Sequence, residues 1–336
     1  MKAPGFWWRT DAGLASRLLS PAGAMVGRVA ARRMAEAARY RAPCPVICIG
    51  NPTVGGAGKT PVALAVAAAL KAAGARPAFL TRGYGGRLAG PVVVVGEDAA
   101  AVGDEALILA SAAPTVVARD RAAGGRLAAT LGDVIVMDDG FQNPGLAKDF
   151  SVLVVDRAVG VGNARVTPAG PLRAPLAAHL ARADALLVVD AGEGVAAPLA
   201  GLDGVPAYDA RLVSSAPVPL AGVRVLAYAG IGRPQKFFAG LAALGAELVA
   251  TAPFPDHHPY RDGEAEALVR AAVDGGLRLV TTRKDWVRLA TGSDAAQRLA
   301  AASVIAEVHA ELDPAFLARV LAVWQGDCDK EVAARR

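Results

Sequence analysis

The chain has 336 residues, room for one large domain or two ordinary ones, and is 54% hydrophobic with 20% charged residues, a balance that suits a buried parallel sheet wrapped by helices. Its three cysteines, Cys44, Cys48 and Cys328, lack metal-type spacing, so no disulfide framework is expected and a reducing compartment is. The net charge of +5 is local: residues 1–41 hold eight basic residues against Asp11 and Glu36, which excludes a diffuse basic surface for nucleic acid.

The N-terminal segment, residues 1–42, carries Phe6-Trp7-Trp8 and then Leu14, Leu18, Leu19, Met25, Val26 and Val29. Its charge-free run from Leu18 to Gly27 contains Pro21 and is about half the ~20 residues a spanning helix needs. It is also too short and broken for a cleaved signal. After Pro21 the spacing predicts a helix with Arg28, Arg32 and Arg39 on one face and Val26, Ala30 and Ala37 opposite, with Arg33 intruding on the apolar side. Aromatics, aliphatics and arginines together fit a helix lying in a membrane interface against anionic headgroups. The competing expectation is a helix packed on its own domain with a solvated basic face.

The stretch PVICIGNPTVGGAGKTPVALAVAAAL, residues 45–70, is the one around which the rest of the chain is organised. An apolar strand ends at Gly50, a glycine-rich turn closes on Gly58-Lys59-Thr60, and a helix pattern begins. That context is a phosphate-binding P-loop. Its residues Thr53, Val54, Gly55, Gly56, Ala57, Gly58, Lys59 and Thr60 would wrap nucleotide phosphates, because glycine lets backbone N–H groups turn inward and the helix dipole points the same way. Lys59 would reach the β- and γ-phosphates and the Thr60 hydroxyl would bind magnesium. Thr53 stands where the strict pattern has its first glycine.

Strands and helices then alternate. A strand at 78–81 runs into Arg82-Gly83-Tyr84-Gly85-Gly86, a flexible turn beside a fixed positive charge. Short strands are predicted at 92–95 and 115–118. Between them Gly103-Asp104-Glu105 opens a helix with its carboxylates in the favourable first turn. Arg119-Asp120-Arg121 precedes another helix. The strand in DVIVMDDGFQ, residues 133–142, ends in Asp138 and Asp139, as a second magnesium-holding element does in P-loop proteins. Strands at 151–155 and 185–189 flank NARVTPAGPLRAPL, residues 163–176, an irregular loop carrying Asn163, Arg165 and Arg173.

A Ser-, Pro- and Gly-rich stretch at 213–223 marks a domain boundary. It divides a P-loop domain, residues 43–214, from a smaller α/β domain, residues 215–336. In the latter, strands are expected at 225–229, 247–251 and 277–282, with helices from Pro234, from Asp262 and at the C-terminus. Phe254-Pro255-Asp256-His257-His258 holds two of the four histidines; without a third His or a Cys nearby, zinc is set aside and carboxylate-oriented proton chemistry preferred. Thr281-Thr282-Arg283-Lys284-Asp285 either faces a phosphate or simply starts a helix.

Assembled, GNPTVGGAGKTP, TRGYGG, GDE, ARDR, DDGFQ, NARVTPAGPLRAPL, AGIGRPQKFF, FPDHH and TTRKDWVRL closely resemble, in order and spacing, the tetraacyldisaccharide 4'-kinases of Gram-negative bacteria, which share the Thr53 variant of the loop. The resemblance implies two α/β domains joined by a hinge-like ribbon, with the reaction in the cleft between them. It implies transfer of the γ-phosphate of ATP to the 4'-hydroxyl of tetraacyldisaccharide 1-phosphate, giving lipid IVA in lipid A synthesis, at the cytoplasmic face of the inner membrane. ATP and Mg2+ are the implied cofactors, the N-terminal helix the peripheral membrane contact, and no obligate protein partner is expected. Asp104 is implied as the base and His257 as its partner, Asp138 and Asp139 as metal residues. Arg82, Arg119, Arg121, Asn163 and Arg173 are candidates for substrate contacts.

Two rivals stand beside this expectation. A P-loop ATPase or GTPase switch of the partitioning or metal-insertion type would use GGAGKT but leave RGYGG, PAGPLR and FPDHH without purpose. A non-catalytic membrane-surface scaffold would not need Lys59, Thr60, Asp104, Asp138 and His257 together.

Overall fold

A computed structural model describes residues 3–9, 13–190, 201–202 and 204–326; Cys328 lies outside them. A 3-10 turn (Gly5–Trp8) leads into α1 (Leu14–Met34). The helix begins before Pro21, not after it, and carries the proline inside. Proline removes one helix hydrogen bond, and contacts with the 163–176 loop compensate. Ser16 Oγ donates to Ala169 O at 2.8 Å, and the Arg165 guanidinium binds Ser20 Oγ.

Helix α1 turns its smallest residues inward. Ser16, Gly23, Gly27 and Met34 are buried, whereas Leu14, Leu18, Met25 and Val29 are 64–73% exposed. A Cβ on Gly23 would stand 2.6 Å from Val166 O, so only glycine permits this approach. The helix therefore packs on its own domain while Leu14, Leu18, Met25 and Val29 point away. Trp7 does not join them: it is buried, and its Nε1 donates to Pro168 O at 3.0 Å. Among the described residues no helix is long and apolar enough to cross a membrane.

The chain continues through β1 (Val46–Gly50), α2 (Lys59–Ala72), β2 (Pro77–Thr81), β3 (Val92–Val93), α3 (Ala99–Val102), α4 (Asp104–Ala110), β4 (Thr115–Val117), α5 (Arg121–Ala128), β5 (Val134–Asp138), β6 (Phe150–Asp156), α6 (Leu176–Leu180), β7 (Ala185–Asp190) and β8 (Ala207–Ser215). A second half comprises β9 (Arg224–Ala229), α7 (Pro234–Ala243), β10 (Glu247–Pro253), α8 (Asp262–Gly275), β11 (Arg278–Thr282), α9 (Arg283–Ala290), α10 (Asp294–Ala302), β12 (Ser303–Leu312) and α11 (Pro314–Gln325). The strands form one mostly parallel sheet in the order β10-β9-β11-β12-β8-β7-β6-β1-β5-β2-β4-β3. Strands β1, β2, β5 and β6 are buried along their whole length. Helices cover both faces, which is why these strands read as unbroken apolar runs.

One strand serves both halves. Residues 303–306 of β12 pair in parallel with β11, and residues 307–312 pair antiparallel with β8. Helix α11 then returns, packing Phe316, Val320 and Val323 into the same core as Phe150 and Val154. Here the structure departs from the division expected at 214/215: by packing, the last helix belongs with the P-loop half. The expected elements include neither β8, β12 nor α10. The two strands form a half-exposed ribbon in which polar and apolar residues alternate, Tyr208-Asp209-Ala210-Arg211-Leu212 and Glu307-Val308-His309-Ala310-Glu311-Leu312, a strand signal that the expected elements leave out.

Candidate active site

The P-loop runs between β1 and α2. Gly58 takes φ +85° and no side chain caps α2, so its first amides are open to an anion. Lys59 Nζ donates to Asn51 Oδ1 at 3.1 Å and lies 3.7 Å from Asp139 Oδ1. Thr60 Oγ1 donates to Asp138 Oδ2 at 3.1 Å. Asp138 is fully buried, and its Oδ1 has no partner among the described residues. Burial, then the charge of Glu105, pushes its carboxyl up to about 7, against the pull of Lys59 and Thr60. An orphaned carboxylate oxygen beside a hydroxyl suits a hard cation such as magnesium. Among the described residues no group of three or more His, Cys, Asp or Glu could hold a metal, as expected where magnesium is shared with phosphates and waters.

Asp139 goes elsewhere. Its backbone takes φ +53°, and its Oδ1 accepts from Arg173 Nη1 at 2.8 Å. Burial works against its ionisation, but Lys59 and Arg173 prevail and hold its pKa low. The two adjacent acids expected as a metal pair thus diverge: one meets Thr60, the other the cations. Arg173 also donates through Nε to Thr53 O at 2.9 Å, and Val54 N to Pro171 O at 2.7 Å, so the 163–176 loop braces the P-loop.

The second cluster crosses between the halves. Asp104 opens α4, is buried, and places Oδ2 3.0 Å from His257 Nδ1. Its Oδ1 accepts from Glu105 N at 2.9 Å. Burial raises its pKa, but the hydrogen bond to His257 and the charges of Lys284, His257 and Arg288 outweigh burial and hold it below the usual range. The same hydrogen bond raises His257, with burial opposing. His257 adopts φ +57°, a costly backbone for a non-glycine residue, and its N–H donates to Gly230 O at 3.1 Å. His258 stacks on Phe254 with Nε2 2.8 Å from Glu264 Oε2, away from Asp104.

Gly230 joins three motifs of the second half. Its N–H donates to Asp285 Oδ1 at 2.8 Å, and its carbonyl accepts from Arg288 Nη2 at 2.9 Å as well as from His257. Buried Asp285 also accepts from Tyr260 Oη at 2.8 Å and from Thr282 Oγ1 at 2.5 Å. Thr282 in turn caps α9. The Thr281–Asp285 stretch is therefore a helix start that anchors a hydrogen-bond knot. On the other side of the junction, Asp156 at the end of β6 accepts from Arg233 Nη1 and Lys236 Nζ, both at 2.8 Å.

The sequence pattern described as tetraacyldisaccharide-1-P 4'-kinase matches residues 15–325. The chain belongs to this family. The tetraacyldisaccharide 4'-kinase of Methylobacterium sp. strain 4-46 is 57% identical over 298 residues, covering 86% of this chain and 89% of that protein. That of Azorhizobium caulinodans is 54% identical over 302 residues, covering 86% and 87%. A crystal structure of LpxK from Aquifex aeolicus in complex with ATP superposes with a TM-score of 0.73 at 24% identity, covering 93% of this chain and all of that one. It shows the same fold.

Within this kinase fold the substrate candidates separate. Arg82 and Arg119 are exposed on the surface, and Arg119 Nη2 reaches Gly86 O at 3.2 Å. Arg121 is buried, binds Ala118 O, and keeps Nε without a partner among the described residues. Asn163 is not available as expected: its Nδ2 donates to Ser16 Oγ at 3.1 Å and Ala169 O at 3.0 Å, tying the N-terminal segment down. Sequence reasoning gave no role to Asn51, Glu105, Gly230 or Arg288, although each lies inside one of the motifs that carry the family resemblance.

Gly230 has no room to grow. A Cβ there would stand 3.0 Å from Asp285 Oδ1 and 3.1 Å from His258 Cβ. Gly230→Ala is expected to shift the His257 loop and lower turnover about tenfold or more while nucleotide affinity persists. Kinase rates beside nucleotide titrations check this; wild-type turnover would show that the spacing is immaterial.

Proposed function

We propose that this member of the family phosphorylates the 4'-hydroxyl of tetraacyldisaccharide 1-phosphate from ATP, with Asp104 taking the hydroxyl proton and His257 orienting Asp104 and sharing that proton. The reaction is that of a lipid kinase of lipid A synthesis. One observation carries the residue assignment: a buried carboxylate on the P-loop half lies 3.0 Å from an imidazole of the other half. Its neighbour Glu105 is close enough to Asp138 to raise that carboxyl's pKa, which puts acid–base and phosphate-binding groups side by side. A P-loop switch would have no use for such a dyad.

Lys59 and the first amides of α2 would neutralise the phosphates of ATP, the charge compensation on which phosphoryl transfer mostly depends. Asp138 and Thr60 would hold magnesium, with Asp139 keeping Lys59 and Arg173 in place beside them. Bound there, the ion would offset phosphate charge. Arg82, Arg119, Arg121 and Arg173 supply positive charge for phosphate groups of nucleotide or lipid.

The outward face of α1, Leu14, Leu18, Met25 and Val29, is proposed to sit in the cytoplasmic surface of the inner membrane, where a lipid acceptor resides. The arginines Arg28 and Arg32 would meet anionic headgroups.

Incubation with labelled ATP, magnesium and the disaccharide lipid in detergent micelles tests the whole proposal: labelled lipid is expected, and free phosphate alone would indicate the switch. Asp138→Asn is expected to raise the magnesium concentration for half-maximal turnover about tenfold; an unchanged titration would remove Asp138 from the metal site.

The dyad predicts a pH profile. With His257 raised above the ordinary ~6.5 of imidazole, turnover falls as pH drops through that higher value, because the dyad is already protonated. In His257→Ala the acid limb moves toward the carboxylate range. The Asp104→Ala, His257→Ala double variant is expected to be little worse than the poorer single one. Losses that simply multiply would separate the two residues.

Replacing Leu14, Leu18, Met25 and Val29 by serine is expected to release the protein from anionic liposomes with ATP affinity intact. Sedimentation as complete as wild type would refute the membrane face.

A further inference from the structure

Helix α9 holds none of the phosphate-binding or proton-transferring groups, yet it is the second-half helix packed most closely on α4. Lys284 and Arg288, four residues apart, share one face of it. Lys284 Nζ donates to Glu105 Oε1 at 2.5 Å, and Arg288 Nε lies 3.8 Å from Asp104 Oδ2. Both guanidinium and ammonium are thus carried from the second half onto two adjacent carboxylates of the first.

Arg288 is built in rather than draped over the surface. Its side chain is 10% exposed. Nη2 is fixed by Asp285 Oδ1 at 2.7 Å and Gly230 O at 2.9 Å, and Nε donates to Lys284 O at 3.1 Å. Nη1 is buried without a partner among the described residues. A guanidinium held by four neighbours at this depth is costly to desolvate, and Asp285 alone would suffice to neutralise it. Its placement beside a second carboxylate, Asp104, needs another reason.

We infer that Arg288 and Lys284 are positioning residues for Asp104, brought across the junction by α9 to hold its carboxylate oriented and in the charged form that accepts the hydroxyl proton. The inference rests on Asp104 being the base. The groups facing Asp104 are His257 from the loop after β10, Glu105 on its own helix, and Lys284 and Arg288 on α9; Asp256 faces Lys284 in turn. Two acids, Glu105 and Asp256, the latter 3.9 Å from His257 Nε2, oppose the two cations around the Asp104–His257 pair, so removing either cation raises the pair's proton affinity. The base then works only when the halves are together.

The test is the pH dependence of turnover in the full-length kinase. In Arg288→Gln the acid limb is expected to move up by about one pH unit, so turnover drops near neutrality and recovers in alkaline buffer. Arg288→Lys, which keeps the charge, is expected to leave the limb near its wild-type position. Lys284→Gln, at a site 33% exposed against 10% for Arg288, is expected to move the limb in the same direction, and it carries the test should Arg288→Gln fail to fold. KM for ATP is expected to stay within about twofold, since neither residue meets the P-loop. A purely structural role would lower turnover equally at every pH. An inactive Asp104→Asn together with an unmoved limb in both charge-removing variants overturns the inference alone. Full turnover in Asp104→Asn overturns the base assignment, and this inference with it.

Discussion

A buried carboxylate must be compensated, and Asp104 is compensated from outside its own half. Taking an ionised group out of water costs several kcal/mol unless cations and hydrogen-bond donors replace the solvent. Within α4 it receives only the Glu105 N–H. His257, Lys284 and Arg288 supply the rest, and all three belong to the second half. The same residues that make Asp104 tolerable as an anion make the two halves prefer contact. Asp156 repeats the principle at the end of β6, where Arg233 and Lys236 cross to it.

The halves are also joined through the sheet. Sheet continuity depends on β12, which changes partner from β11 to β8 at residue 307. The β8–β12 ribbon is half-exposed, whereas the cores on either side of it are close-packed. Ion pairs at Asp104 and at Asp156 cross the same junction.

The 163–176 loop links function to location. Its Thr53-facing side, through Arg173 and Pro171, braces the P-loop and Asp139. Its other side receives α1 through Asn163, Ala169 and the close contact of Gly23 with Val166. An irregular, proline-rich segment does this well because its carbonyls and amides are not consumed by a helix or ladder. Helix α1 can then spend its small residues on the protein and leave Leu14, Leu18, Met25 and Val29 outward.

Much was settled by local pattern alone. The apolar run into GGAGKT dictates strand, loop and helix, since only glycine fits Gly58 at φ +85° and only an uncapped helix start cradles phosphate. The continuous apolar strands called for a covered parallel sheet, and Asp138 at a strand end called for a cation. What local pattern could not carry was anything decided by partners distant in the chain. The half-exposed β8 and β12 alternate polar and apolar residues, but which strands they pair with was decided only by the tertiary structure. Pro21 sits inside a helix because the 163–176 loop holds both its flanks. Asp139 meets Arg173 instead of Thr60 because its backbone turns through φ +53°. Asp104 and Arg288 stand 3.8 Å apart only after two halves have folded and met. Residue type and spacing determined which chemistry is possible here; the long-range compensation of buried charge decided which residues perform it.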